Sequence, residues 1–204
     1  MISMYVGSGD TAALLAGKDS KAHQRLLQRF VSNTTPYRNA KASPIDALRT
    51  GAILEDRYIF TLPEGYYPQC VVYCKEIDVL RATLDFALFD NGVVVDFDEL
   101  KTCFHIDYLD LVRFRDAGYE SYISFIKSSY TSYYNQVQQQ LFCTGLEEAN
   151  LVFLAVYSYN DEVNYARDVQ PSEYIKFRIR RDEKVIDNIY NRATPFQLLK
   201  TYYK

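Results

Sequence analysis

The residues with the most chemical potential fall between positions 81 and 101, in RATLDFALFDNGVVVDFDELK. Asp85 sits within an apolar, strand-like run, and after a turn the chain reaches Glu99-Leu100-Lys101. A carboxylate, then a second carboxylate with a lysine two residues on, suits metal-assisted phosphodiester hydrolysis. Two acidic oxygens hold Mg²⁺ against a phosphate, and the lysine lies beside the attacking water. Two residues make one strand repeat, so Glu99 and Lys101 project from the same face. Alone, the D…ExK pattern is weakly specific, because these residue types are common and an ordinary solvated strand edge carries the same letters.

A hairpin must position these groups. Leu80, Ala82, Leu84, Phe86 and Leu88 are expected to line one face of the first strand, with Asp85 on the other. Asp90-Asn91-Gly92 is a strong hairpin signal. A two-residue Asn-Gly loop pairs Asp85 with Asp98 and sends Glu99 to the opposite face. A three-residue loop with Gly92 left-handed pairs Asp85 with Phe97, and Glu99 then shares its face. The hydrolytic reading requires the three-residue loop or an equivalent bulge. It also turns Asp96 and Asp98 toward the apolar side, so irregularity is expected at 96–98.

Upstream, Ser43-Pro44 is expected to start a helix that has Asp46 in its first turn and ends near Phe60. Glu55 shares a side of it with Leu48, Ala52 and Ile59, and Gly51 would allow close backbone approach. A carboxylate on an apolar stripe needs a partner or a metal. An ion pair with Arg57 or Arg81 serves as well as a metal here.

The rest of the chain frames the hairpin. Residues 7–17, GSGDTAALLAG, read as a turn into a short helix with Ser8 or Asp10 as N-cap, or as amides presented to a phosphate. Residues 18–30 read as a helix with Leu26, Leu27 and Phe30 inward, and 33–43 as a polar loop. After strand-like runs at 70–74, 80–89 and 93–101, helices are expected at 106–115 and 120–145. Gly145 ends the second helix, in which Gln136 and Gln140 lie one turn apart. Tyr130, Tyr133 and Tyr134 read as core before base-stacking platform. Residues 151–159 form a buried strand run. In 174–180, Ile175, Phe177 and Ile179 alternate with Lys176, Arg178 and Arg180, a basic face that is either solvated or a DNA wall. A last helix spans about 182–203. A single α/β domain follows, with a mixed sheet carrying the hairpin and helices on its faces. Its parts are a helical segment at about 7–60, the sheet and helices at about 68–160, and a final strand and helix at about 172–203.

Composition narrows the function. The 204 residues are 48% hydrophobic, enough for one sizeable core. There is no apolar run of membrane-spanning length and no signal-like N-terminus, so a cytoplasmic protein is expected. Cys70, Cys74, Cys103 and Cys143 include no CxxC pair and read as reduced core thiols. The net charge of −3 argues against a generic polyanion binder. Its distribution is uneven: the first 49 residues carry about +4, from bases that include Arg25 and Arg29, and the remainder about −7. That basic segment is either a solvated helix face or a surface that follows DNA phosphates.

Four motifs in order, GSGDTAALLAG, GAILED, ATLD…ELKTC and YYNQVQQQLFCTG, resemble the phage λ exonuclease and YqaJ-type branch of the PD-(D/E)xK nucleases. The resemblance runs over about residues 7–160, and the last motif is the most specific. It implies a restriction-endonuclease-like core in which Asp85, Glu99 and the Leu100 carbonyl ligate metal. Lys101 would position the water, Gln136 would orient that water or Lys101, and Glu55 would complete the acidic cluster. Ser8, Arg25 and Arg29 would contact DNA. The resemblance further implies two Mg²⁺ ions, with Mn²⁺ as a substitute, and 5′-to-3′ digestion of duplex ends. A ring-shaped homotrimer, a single-strand annealing partner and a phage or prophage setting come with it. Two departures stand out: Leu84-Asp85-Phe86 replaces the frequent Pro-Asp-Gly, and the gap to Glu99 is long. Asp78 is a further acidic candidate. A structure-specific endonuclease and a catalytically silent DNA-binding or assembly subunit are the alternatives.

Overall fold

The protein is described by a computed structural model over residues 4–32 and 45–202. The expected loop at 33–43 and the Ser43-Pro44 helix start lie outside these residues. In chain order the elements are β1 (Val6–Gly7), α1 (Thr11–Leu15), α2 (Lys21–Val31), α3 (Asp46–Tyr58), β2 (Tyr66–Tyr73), β3 (Leu80–Asp90) and β4 (Val93–Phe104). There follow α4 (His105–Asp116), α5 (Tyr119–Ser129), α6 (Thr131–Thr144), β5 (Glu148–Val156), α7 (Asp161–Ala166), β6 (Tyr174–Arg180) and α8 (Glu183–Tyr202). The strands form one mixed sheet in the order β1-β3-β4-β5-β6, with β2 paired to β3. Alternation along β5 divides the core: Leu151, Phe153 and Ala155 join the larger apolar cluster, while Val152, Leu154 and Val156 join a smaller one with Leu54, Tyr58 and Phe86.

The hairpin takes the second of the two expected routes, a bulge in place of a three-residue loop. Asp90 pairs with Val93, so the loop has two residues, Asn91 and Gly92, both at positive φ (48° and 79°). These are the conformations a primed two-residue turn requires. One strand turn later the register shifts: Phe89 pairs with Val94, but Leu88 pairs with Asp96, leaving Val95 as a bulge. The extra residue thus enters at Val95, just before the span where irregularity was expected. Pairing ends at Phe86↔Asp98. Extended by one residue, that register sets Asp85 against Glu99.

Beyond this point β3 and β4 part. The stripe expected at 80, 82, 84, 86 and 88 breaks here: Leu80, Ala82 and Leu84 enter the larger cluster, and Phe86 enters the smaller one on the other face. β2 occupies one edge of β3, so β1 and β4 share the other. β1 pairs with Leu80 and Arg81, and β4 with Phe86 to Asp90. Between them the edge of β3 is open, and side chains fill it. Gln139 Nε2 donates to the Arg81 carbonyl at 3.2 Å, Gln140 Nε2 donates to the Thr83 carbonyl at 2.9 Å, and the Leu100 amide donates to Asp85 Oδ2 at 2.9 Å. The buried backbone groups of a parted strand pair are thereby satisfied.

The helix expected at 120–145 is two helices. Tyr130, at φ −125°, breaks it, and its ring packs 4.8 Å from Phe153. Tyr134 is buried, and Tyr133 also faces Phe153, in keeping with a core role. Gly145 ends α6 in the left-handed conformation, as expected. Neither Ser8 nor Asp10 caps α1 with its side chain; the carbonyl of Ser8 takes the Thr11 hydroxyl, and Asp10 pairs with Arg29.

The basic face of β6 is already neutralised. Lys176 Nζ reaches Asp98 at 2.6 Å, and Arg178 reaches Asp96 at 2.8 Å and Glu148 at 3.0 Å. Asp98 is fully buried and also accepts from the Tyr58 hydroxyl and Asn150. Its apolar-side placement is tolerated because each oxygen has a donor. Asp98→Ala is therefore expected to destabilise the protein by about 2–4 kcal/mol in urea unfolding, since it strands Lys176 and Tyr58. The double change Asp98→Leu/Lys176→Met should recover part of that loss.

Candidate active site

Glu99 has no solvent exposure, yet it is a carboxylate in the middle of a sheet. Burial on that scale needs donors. Lys101 Nζ and Gln136 Nε2 bond its Oε1, and Gln140 Nε2 bonds its Oε2. Gln136 and Gln140 reach it together because four residues return a helix to the same side. The neighbouring glutamines face elsewhere. Gln138 bonds the Arg180 carbonyl and the Asp182 amide, and Gln139 bonds the Val6 carbonyl and Thr11. The YYNQVQQQ motif thus fastens one helix to three parts of the fold, and only Gln136 and Gln140 serve Glu99.

A cavity of about 340 Å³ opens beside this group, lined by Leu48, Gly51, Glu55, Asp85, Lys101 and Tyr133 among others. The helix stripe that carries Glu55 is not the core face of α3. Thr50, Ile53, Leu54 and Tyr58 are buried, so Leu48, Ala52 and Glu55 turn to the cavity. Its partner is neither Arg57 nor Arg81 but Gln69, whose amide bonds Oε1. A methyl at Gly51 would lie 3.5 Å from Thr102 Oγ1, an ordinary contact, so close approach does not demand glycine there.

Gln69 is a residue that sequence reasoning missed. It has φ 54° within β2 at the level of Asp85, a backbone state that L residues rarely adopt. No local sequence signal marks it.

The electrostatics are those of crowded acids. Burial raises the Asp85 carboxyl well above its ordinary range, and the negative charge of Glu99 raises it further. Burial also raises Glu55, against the Gln69 bond that lowers it. Burial alone would lower the Lys101 ammonium, but Glu99 and Asp85 outweigh it and hold the group above the ordinary lysine range. Three carboxylates thus face one ammonium.

Hard carboxylate and carbonyl oxygens with excess negative charge fit a divalent cation such as Mg²⁺. Asp85 spends Oδ2 on the Leu100 amide, which leaves Oδ1. Among the described residues no group of three His, Cys, Asp or Glu side chains forms a metal cage. The fit is therefore to two acids, Asp85 and Glu99, with the Leu100 carbonyl, while Glu55 lines the same cavity and carries its own Gln69 bond.

The expected DNA contacts are not at this cavity. Ser8 is buried, and Arg29 is held by Asp10 at 2.6 Å. Arg25 is exposed on a separate open cavity with Gly9 and Gln28. Asp78 is engaged by Lys200 at 3.2 Å and is likewise outside the site.

A stability consequence follows from Asp85. Its folded-state pKa is raised, so the ionised form costs stability, and that cost is fully present above the folded pKa. Asp85→Asn keeps an oxygen for the Leu100 amide and removes the charge. In a thermal melt of metal-free protein at pH 8 it is expected to raise the midpoint by about 2–4 °C, as roughly 1 kcal/mol does for a chain of this size. A lowered midpoint would mean that the Asp85 charge is stabilising.

No protein family model matches the sequence, and no curated protein matches it. Solved structures do. An alkaline exonuclease, LHK-Exo from Laribacter hongkongensis, superposes with a TM-score of 0.65 at 17% identity, covering 99% of this chain and 92% of that one. The same enzyme in complex with dAMP gives 0.62 at 18% identity, over 98% and 91%. A phage-related exonuclease from Haemophilus somnus 129PT gives 0.56 at 12% identity, over 99% and 97%. Among the described residues no helix is long and apolar enough to cross a membrane. The chain has the fold of these exonucleases, an α/β architecture with a mixed sheet flanked by helices.

Proposed function

We propose that this protein is a Mg²⁺-dependent deoxyribonuclease that digests linear duplex DNA from its ends, 5′ to 3′. The observation that carries this reading is the setting of Glu99, a buried carboxylate at the parting of two strands. Asp85 stands across from it, and Lys101, Gln136 and Gln140 stand on it. The fold shared with exonucleases supports action at ends. Two ions, with Mn²⁺ as a substitute, a homotrimer, an annealing-protein partner and a role in phage recombination complete the proposal.

Asp85, Glu99 and the Leu100 carbonyl would hold the cation. Bound there, it would supply Lewis-acid stabilisation of the charge on the phosphate. Lys101 stays protonated, so it acts as a hydrogen-bond donor and point charge, not as a base. Lys101, which lines the cavity, would donate to the attacking water and orient it. Gln136 and Gln140 hold Glu99 in place. Glu55, on the opposite wall, is placed to accept a proton from that water.

The test is a linear duplex labelled separately at its 5′ and 3′ ends, with a closed circle as control. Mg²⁺-dependent loss of the 5′ label is expected, with none on the circle, and Lys101→Ala should slow it by roughly 10²-fold or more. Nicking of the circle would favour an endonuclease, and no cleavage of either would favour a binding or assembly role.

The pH profile is a second check. Asp85 must be ionised to ligate, and its pKa is raised, so the rate should fall on acidification at a pH above the ordinary carboxylate range. More Mg²⁺ competes with the proton and should move that acid limb lower. No alkaline limb from Lys101 is expected below pH ~10.

A further inference from the structure

A second cavity, of about 400 Å³, lies on the other side of Glu55. It is lined by the end of α3 and the turn after it (Glu55, Asp56, Arg57, Ile59 and Phe60) and by Pro68, Gln69 and Phe86. Glu55 lines both this space and that of Asp85 and Lys101, and Gln69, on this side, bonds it.

Two features here have no structural purpose. Arg57 Nε is buried without a hydrogen-bond partner, and among the described residues Arg57 forms no ion pair. A buried donor left unmade is costly, and arginine is a residue that folded proteins normally pair. Beside it Phe60 is 80% exposed, an aromatic ring presented to solvent at the cavity mouth. A guanidinium fork suits a phosphate, and an aromatic face suits a base.

We propose that this cavity is a subsite for the nucleotide next to the cleaved phosphodiester, with Arg57 on its phosphate and Phe60 against its base. The inference rests on the nuclease reading above and adds a strand-holding site to it. Glu55 and Asp56 share the lining, so the charge is mixed. The site therefore selects a strand that supplies phosphate and base together, and inorganic phosphate alone should not bind.

The experiment compares wild type with Arg57→Ala, Arg57→Lys and Phe60→Ala. The first readout is binding of a fluorescent single-stranded DNA oligonucleotide in Ca²⁺, by anisotropy across a salt series. The second is kcat and KM on linear duplex in Mg²⁺, and the third is the thermal midpoint. Arg57→Ala is expected to weaken binding and raise KM by about tenfold, with kcat within about threefold, and to lower the salt slope by about 1. Its midpoint should not fall, because the guanidinium has no protein partner to lose. Arg57→Lys should recover part of the affinity, and Phe60→Ala should cost about tenfold in binding without changing the salt slope. Unchanged binding and KM in Arg57→Ala, or a loss that tracks a lowered midpoint and is not rescued by lysine, would overturn the subsite. Wild-type protein that binds the oligonucleotide through Arg57 but cleaves nothing would sink the nuclease reading and leave the subsite standing.

Discussion

Two consecutive carboxylates with no solvent exposure, Asp98 and Glu99, set the terms for the rest of the structure. Neighbours on a strand point to opposite faces, so each must be satisfied separately. On one face Asp98 has Lys176, Tyr58 and Asn150, a closed set enclosed by the smaller apolar cluster. On the other, Glu99 has Lys101, Gln136 and Gln140 and lies beside a cavity. The chemistry is similar, but the surroundings differ. Asp98 has a donor on each oxygen, whereas the lysine on Glu99 lines the cavity that Asp85 and Glu55 also line. A structural ion pair and a candidate catalytic one thus occupy adjacent residues.

The second constraint is the gap in the sheet. β4 leaves β3 beyond Asp98, so the edge of β3 would present bare carbonyls to the core. The glutamines of α6 fill that role, which ties the helix to the place where the strands part. Holding the strands apart lets the Asp85 side chain take the Leu100 amide and stand across from Glu99. The gap and the acidic pair are therefore one feature, and α6 holds both.

Much of this was legible from residue type. The ExK spacing put Glu99 and Lys101 on one face, Asn91-Gly92 marked the turn, and the four-residue step from Gln136 to Gln140 put both on one side of a helix. The shared face of Asp85 and Glu99 required a loop residue or a bulge, but no residue announces that the extra one enters at Val95. The face of Glu55 was misjudged, since a helix with apolar groups on two sides does not say which side meets the sheet. The basic strand was read without its acids: Asp96 and Asp98 are close only through the sheet order, some eighty residues away in sequence. The strained backbone of Gln69 lies in an ordinary strand-like run, and only tertiary geometry reveals it.

Glu99, and not its equally buried neighbour Asp98, is the residue proposed to hold a cation. The most direct measurement is Mn²⁺ binding, followed by electron paramagnetic resonance, in wild type, Glu99→Gln and Asp98→Asn, each confirmed folded by circular dichroism. Glu99→Gln is expected to lose the bound Mn²⁺ and Asp98→Asn to retain it. Equal binding in both variants, or loss only in Asp98→Asn, would contradict the proposal.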